Sequence, residues 1–104
     1  MPRWWPFGRQ RTRVDIDPAQ LVAIRFLLRY KAAPESKLYD EVTGTIGLDR
    51  ATVLLSLADL ASKGVLEPRF QPDQSETWFV LTPLGKRLRG KIPRSTRSSL
   101  AIYV

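Results

Sequence analysis

The chain has 104 residues, of which 43% are hydrophobic and 26% charged, and this composition is that of one folded domain. It contains neither Cys nor His, which excludes disulfides, thiol nucleophiles, imidazole bases and the usual zinc ligands. We therefore expect a protein that is not an enzyme and that uses no metal or other cofactor. No apolar run approaches the ~20 residues of a membrane span, and the first residues lack the apolar core of a signal peptide, so we expect a cytoplasmic protein.

The formal net charge of +7 is concentrated at the two ends of the chain. Residues 1–13 contain four Arg and no acid, and residues 86–104 contain six basic residues and no acid. Residues 14–85 contain seven basic and ten acidic residues and are slightly acidic. We therefore divide the chain into a basic, aromatic N-terminal arm (1–13), a folded domain (14–91) and a basic and apolar C-terminal tail (92–104).

Asp17 and Pro18 predict the start of a first helix, with Asp17 as N-cap and Pro18 at the first helical position. The apolar residues that follow at helical spacing are Leu21, Ile24, Leu27 and Leu28. The helix should end near residues 31–33, because Pro34 disfavours helical backbone in the residue before it.

A second helix is predicted over Glu35–Thr43, with Leu38 and Val42 as an i, i+4 core pair. Gly44 and Gly47 follow and favour a turn. The connection to the next helix should therefore be long.

Asp49 predicts the cap of a third helix, Arg50–Lys63, and Gly64 predicts its end. Apolar residues recur at i, i+4 and i+7 on one side of this segment. They are Val53, Leu57 and Leu60, and we expect them to form its buried face.

Two runs of strand-forming residues follow, at Val65–Phe70 and Thr77–Leu81. The polar segment 71–76 between them predicts a hairpin. Because Pro68 has no backbone N–H to donate, the first of these strands should lie at a sheet edge.

A last, short helix is predicted from Pro83 to Arg89, with Thr82 as its cap. Residues 100–104 are apolar except for one tyrosine hydroxyl and could add a strand to a sheet.

This order of elements is that of a winged helix-turn-helix. The stretch from Ala51 to Leu66 resembles the recognition-helix region of MarR-like and PadR-like transcriptional regulators. Trp78 to Lys86 resembles the strand that leaves their wing, followed by the corner Leu81-Thr82…Gly85. The resemblance covers residues 17–90. It implies an α+β, mainly α fold with a three-helix core, a two-stranded wing and a short C-terminal helix.

The resemblance also implies double-stranded DNA as the partner, because the third helix of such regulators enters the major groove. It places Arg50, Thr52 and Ser56 near the bases and Arg69 at the base of the wing. The basic ends of the chain are suited to phosphates. The residues we expect to contact the phosphate backbone are Arg9, Arg11, Arg13, Lys86, Arg87, Arg89 and Lys91.

Other residues favour a second hypothesis, a protein–protein adaptor whose basic ends dock into a larger assembly. Leu54 and Leu55 occupy positions on the third helix where a DNA reader would carry polar side chains. Asp73 and Glu76 place negative charge near the tip of the predicted wing, where it would repel phosphate.

The N-terminal arm contains Trp4 and Trp5, and exposed tryptophans favour docking, either on the domain itself or on a protein partner. A homodimer fits both functional hypotheses. A membrane surface ranks last among the partners, because the arm has no amphipathic helical pattern.

Overall fold

Four helices and two small antiparallel sheets make up the described part of the protein in the computed structural model, which covers residues 13–93 and 98–103. In chain order the elements are β1 (Arg13–Ile16), α1 (Pro18–Tyr30), β2 (Ala32–Pro34), α2 (Glu35–Ile46), α3 (Arg50–Ser62), β3 (Leu66–Arg69), β4 (Trp78–Leu81), the short helix α4 (Pro83–Arg87) and β5 (Leu100–Tyr103). All the predicted helices and both strands of the hairpin are therefore confirmed, within one to three residues at their ends.

The start of α1 is stabilised by reciprocal hydrogen bonds between Asp17 and Gln20. The carboxylate of Asp17 accepts from the backbone N–H of Gln20 at 2.8 Å, and the side-chain oxygen of Gln20 accepts from the backbone N–H of Asp17 at 3.0 Å. This capping box satisfies two backbone donors that a helix N-terminus leaves free. The Nε2 of Gln20 also donates to Asp59 on α3 at 2.7 Å, so the same side chain joins the two helices.

The turn between α2 and α3 is shorter than the two glycines suggested. α2 continues through Gly44 to Ile46, and Gly47 ends it with a left-handed φ of 72°. The prediction that α2 ends at Thr43 was wrong, because Gly44 is tolerated inside a helix whose apolar face is packed. Three residues therefore connect the two helices, which gives the compact helix-turn-helix geometry.

The hairpin belongs to a three-stranded sheet with the strand order β2-β4-β3. β3 lies at one edge, as expected from Pro68, and β4 pairs on both sides. β2 was not predicted. It is three residues long and carries no alternating pattern, and its pairing Ala33↔Phe79 is a tertiary contact that local sequence does not specify.

β1 and β5 form a separate two-stranded sheet in which Val14 pairs with Ile102. Both side chains are buried in the core. Residues 100–103, assigned to the tail, therefore pack on residues 13–16 at the start of the folded part. Lys63 Nζ donates to the carbonyl of Asp15 at 2.5 Å, and Lys91 Nζ donates to the carbonyl of Tyr103 at 2.7 Å. Each lysine therefore occupies one backbone acceptor of this small sheet and joins it to the rest of the domain.

The hydrophobic core lies between the three helices and the inner face of the three-stranded sheet. The predicted core residues Val53, Leu57 and Leu60 are all buried, and so are Leu38 and Val42. On α1 the buried residues include Leu21, Ile24 and Leu27, whereas Leu28 is only partly buried.

Candidate nucleic-acid interface

One face of α3 is open to solvent over the whole length of the helix. Ala51, Leu55 and Ala58 lie on it at i, i+4 and i+7, and Leu55 is 72% exposed. Leu54, its neighbour, is partly buried. The exposed centre of α3 is therefore apolar, and its polar side chains are found at the two ends.

Ser56 does not lie on this face, and its predicted role as a groove contact is corrected. Its exposure is 9%, and its hydroxyl is 3.5 Å from the carboxylate of Asp17. The residue lies three positions after Val53 and four before Leu60, so it shares the buried face of the helix. Its carbonyl accepts from Gln20 Nε2 at 3.1 Å, which leaves Ser56 a structural role between α1 and α3.

Arg50 and Thr52 lie at the N-terminal end of α3 and are exposed. The guanidinium of Arg50 is 3.9 Å from Glu35 and lies over the ring of Tyr39, 5.7 Å from its centre. The Thr52 hydroxyl donates to the carboxylate of Asp49, and this hydrogen bond lowers the pKa of Asp49. Asp49 is the N-cap residue of α3, as predicted, and its carboxylate accepts from the Thr52 hydroxyl without making a side-chain capping hydrogen bond.

Two acidic residues, Asp59 and Glu76, form hydrogen bonds or ion pairs with other residues of the protein. Asp59 forms an ion pair of 2.7 Å with Lys63 and accepts from Gln20, and these contacts lower its pKa. Glu76 accepts from the backbone N–H of Ser36 at 2.9 Å and from its hydroxyl at 3.1 Å. α2 has Pro34 as N-cap without a side-chain hydrogen bond, so Glu76 supplies the cap from a distant part of the chain.

Four cationic side chains converge on a cleft of about 540 Å³ between α1, the hairpin and α4. The sequence predicted Arg69, Lys86 and Arg89 as functional residues, and the structure brings these three together. The fourth, Lys31, was missed, because it was assigned to the end of α1 and its position beside β4 depends on β2. Arg69 is paired with Glu67 at 2.8 Å. No carboxylate of residues 13–93 or 98–103 pairs with Lys31, Lys86 or Arg89.

The remaining predicted contacts lie elsewhere. Arg87 is exposed and does not line the cleft, and Lys91 is exposed with its amine on the carbonyl of Tyr103. Arg13 forms an exposed ion pair with Asp15, whose hydrogen bond raises the pKa of the guanidinium. The other predicted residues of the arm lie outside the residues that the structure describes. They are Trp4, Trp5, Arg9 and Arg11.

Solved structures with a similar arrangement include NadR in complex with 4-hydroxyphenylacetate and the PcaV transcriptional regulator from Streptomyces coelicolor. Each is 21% identical to this chain with a TM-score of 0.62, and each match covers 72% of this chain. SSV1 F-93 matches with 17% identity and a TM-score of 0.60, over 88% of this chain and 82% of its own. NadR and PcaV are MarR-family regulators, and F-93 is a viral winged-helix DNA-binding protein. The chain has the winged-helix fold.

The expected resemblance to MarR-family regulators is confirmed at the level of the fold, in which α3 is the second helix of the helix-turn-helix and the β3–β4 hairpin is the wing. This chain spans about half the length of NadR and PcaV, since the matches cover 51% and 53% of those proteins. No family model and no curated protein matches the sequence.

The wing of this winged-helix protein carries an exposed aromatic residue. Phe70 directly follows β3 and is 78% exposed. Of the two acids predicted near the wing tip, Glu76 points back to α2 as described above, and Asp73 is exposed. The wing therefore presents one aromatic ring and less free negative charge than its sequence indicates.

Within the described chain, every helix is too short or too polar to cross a lipid bilayer. In the same part of the chain no group of three or more acidic side chains comes together in a way that could hold a metal ion.

Proposed function

We propose that this winged-helix protein binds double-stranded DNA and regulates transcription, in the cytoplasm. The observation that carries the proposal is the distribution of positive charge on the fold. The segment 83–91 contains Lys86, Arg87, Arg89 and Lys91 and no acid, and all four are exposed. This segment packs against β4 and Val65, just after the C-terminal end of α3, and its positive charge suits the phosphate backbone that flanks a major-groove site.

In this proposal Arg50 and Thr52 approach the edges of the bases, since they lie at the exposed N-terminal end of the recognition helix. Arg69 and Phe70 at the wing approach the neighbouring minor groove, where an arginine meets negative potential and an aromatic ring can lie against the sugars or between bases. Arg9, Arg11 and Arg13 of the arm add further phosphate contacts.

Contacts to the bases and contacts to the phosphates can be distinguished by experiment. Fluorescence anisotropy of labelled duplexes, first of random sequence and then of sequences selected from a library, gives affinity at several salt concentrations. Arg87→Ala should weaken binding to all duplexes alike and reduce the slope of log K against log salt by about 0.9, because one phosphate contact is lost. Arg50→Ala should instead reduce the preference for the selected sequences over random ones.

Lys37→Ala is the matched control, since Lys37 is exposed on α2 and makes no ion pair with the described residues. Its affinity and salt slope should equal those of the wild type. The proposal is refuted if the wild-type protein gives no anisotropy change with any duplex at low salt.

A second function, a protein–protein adaptor, is favoured by one observation: the exposed centre of the recognition helix is apolar. Leu55 is 72% exposed between Ala51 and Ala58, which flank it on the same face. This pattern of small residues around a leucine suits packing against another helix. Leu55→Lys should remove such a partner from a nuclease-treated pull-down while leaving or strengthening the affinity for DNA.

A homodimer remains compatible with both functions, because a palindromic site requires two-fold symmetry in the protein. Light scattering of the wild type and of Leu55→Lys tests it. Loss of the dimer in that variant alone would place the recognition helix in the subunit interface and would contradict its role in the major groove.

A further inference from the structure

We propose that the cleft between α1, the wing and α4 is a binding site for a small aliphatic anion, a molecule with a hydrocarbon chain and one anionic head group. The proposal rests on the shape, the floor and the rim of this cleft. It does not depend on DNA binding, and its test contains no DNA.

The volume of the cleft, about 540 Å³, lies within the range of about 300–1,000 Å³ that is typical of small-molecule sites. Its floor consists of Leu27, Leu28, Val80 and Leu81. Leu27 and Leu81 are buried, whereas Leu28 and Val80 are only partly buried by the described residues. Apolar surface of this kind gains free energy when a hydrocarbon covers it.

The chemical class of the floor distinguishes this cleft from a second large cavity in the described part of the protein. That cavity, of about 470 Å³, is lined by aromatic rings, Phe26, Tyr30 and Trp78, and by carboxylates as well as a lysine. Among the residues that the structure describes, no aromatic ring and no carboxylate lines the cleft at α4. An aliphatic chain therefore fits it better than an aromatic ligand, and an anion fits it better than a cation or a zwitterion.

The rim carries positive charge from three different elements: Lys31 follows α1, Arg69 ends β3, and Lys86 and Arg89 come from the α4 segment. Three of these four cations have no ion pair with a described carboxylate, as shown above. A carboxylate or phosphate head group can accept hydrogen bonds from these cationic side chains at the mouth of the cleft. The hydrocarbon chain of the same ligand then lies on the aliphatic floor.

The backbone at Lys31 ends α1 and turns the chain towards β2: Lys31 is the C-cap of the helix, and its N–H donates to the carbonyl of Leu27 at 2.8 Å. Lys31 has φ 70° and ψ −36°, and it is the one non-glycine residue of the described chain with a positive φ. A glycine would adopt this conformation with less strain.

A phosphate backbone of duplex DNA matches the rim but not the floor. Its surface is convex and polar, so it cannot fill a concave site or cover the leucines, whereas a hydrocarbon chain does both. The combination of a concave aliphatic floor with a cationic rim is the observation that selects an amphiphilic small molecule.

Isothermal titration calorimetry with decanoate, below the concentration at which it forms micelles, measures the binding. The uncharged decanol tests the head group, acetate tests the chain, benzoate tests aromatic ligands, and decyl phosphate compares the two kinds of anionic head. Decanoate or decyl phosphate should bind with a stoichiometry of one. Decanol should bind about tenfold more weakly, and acetate and benzoate should give no measurable heat.

Variants locate the site. Lys86→Gln combined with Arg89→Gln should weaken decanoate binding about tenfold or more, and Lys37→Gln, which removes a lysine at the other cavity, should leave it unchanged. Lys31→Gly removes an amine of the rim and relieves the backbone. It should therefore weaken binding while the melting temperature stays equal or rises, which separates loss of the site from loss of the fold.

In NMR spectra, the methyl resonances of Leu28 and Val80 should shift on addition of decanoate. The proposal is overturned if neither anionic amphiphile binds at millimolar concentration, if several molecules bind per chain, or if the variants at the rim bind as the wild type does. Each of these results leaves the DNA-binding proposal untouched, because that proposal is tested by duplex binding and the salt slope.

Discussion

Replacement of Gly85 by alanine gives the sharpest test of how α4 is packed. Gly85 lies inside α4, where helix propensity alone predicts that Gly85→Ala stabilises the protein by up to about 1 kcal/mol. In the structure a Cβ at this position would lie 2.4 Å from the carbonyl oxygen of Val65 and 2.8 Å from Cδ2 of Leu81. Helix propensity therefore predicts that Gly85→Ala raises the free energy of unfolding, whereas the packing in the structure predicts that it lowers it.

The magnitude follows from the atom that would have to move. The Val65 oxygen accepts from the backbone N–H of Thr82 at 3.0 Å and from its hydroxyl at 3.1 Å, so a shift of that carbonyl would disturb both hydrogen bonds. Overpacking of this kind costs about 1–3 kcal/mol. With roughly 4–8 °C per kcal/mol for a domain of this size, we expect Gly85→Ala to lower the melting temperature by about 4–24 °C.

Gly44→Ala is the matched control, because Gly44 also lies within a helix but a Cβ there meets no atom within 4 Å. It should raise the stability by about 0.5–1 kcal/mol. Thermal unfolding followed by circular dichroism measures both variants on the same scale. An equal rise in melting temperature for Gly44→Ala and Gly85→Ala would refute the packing of α4 against the strand after Gly64.

The remaining predictions concern polar contacts between elements. Gln20→Leu should destabilise the protein by about 1–3 kcal/mol in urea denaturation, because the side chain is buried and its partners on Asp17, Ser56 and Asp59 lose their hydrogen bonds. Glu76→Ala should cost about 0.5–2 kcal/mol in the same assay, since it removes the cap of α2, and Glu76→Gln should retain part of that stability. The pKa of Asp59 is lowered in the folded state. The ionised carboxylate therefore contributes to the free energy of unfolding above its unfolded pKa of about 3.9, and this contribution is lost as the pH falls through the lower folded pKa. Stability measured from pH 6 to pH 2 should therefore fall less steeply at the acid end in Asp59→Asn than in the wild type, and an unchanged slope would contradict the ion pair with Lys63.

Several elements could be predicted from local sequence because the chemistry that defines them is local. Asp17-Pro18 predicts the start of α1, and Thr82 predicts the cap of α4, where its hydroxyl accepts from the N–H of Gly85 at 3.1 Å. The spacing of Val53, Leu57 and Leu60 predicts the buried face of α3. Each of these signals lies within one or two helical turns.

The errors occurred where a long-range contact outweighed a local preference. Gly44 and Gly47 together suggested a long turn, but packing of Val42 and its neighbours keeps Gly44 helical and leaves Gly47 alone to end α2. Ser56 was assigned to the exposed face, although its position next to Leu57 and Leu60 could have indicated burial against α1.

The sequence by itself determined the order of helices and hairpin, the charge of the two ends and the absence of cysteine and histidine, since these follow from residue identity and short-range periodicity. Only the tertiary structure decided which charges remain available. It places Glu76 against Ser36 at the start of α2 and Gln20 of α1 against Asp59, and it places Lys31 beside Lys86 and Arg89, more than fifty positions away in the chain. A side chain's partners depend on how distant segments meet, and the free energy that brings those segments together comes from burial of the whole core.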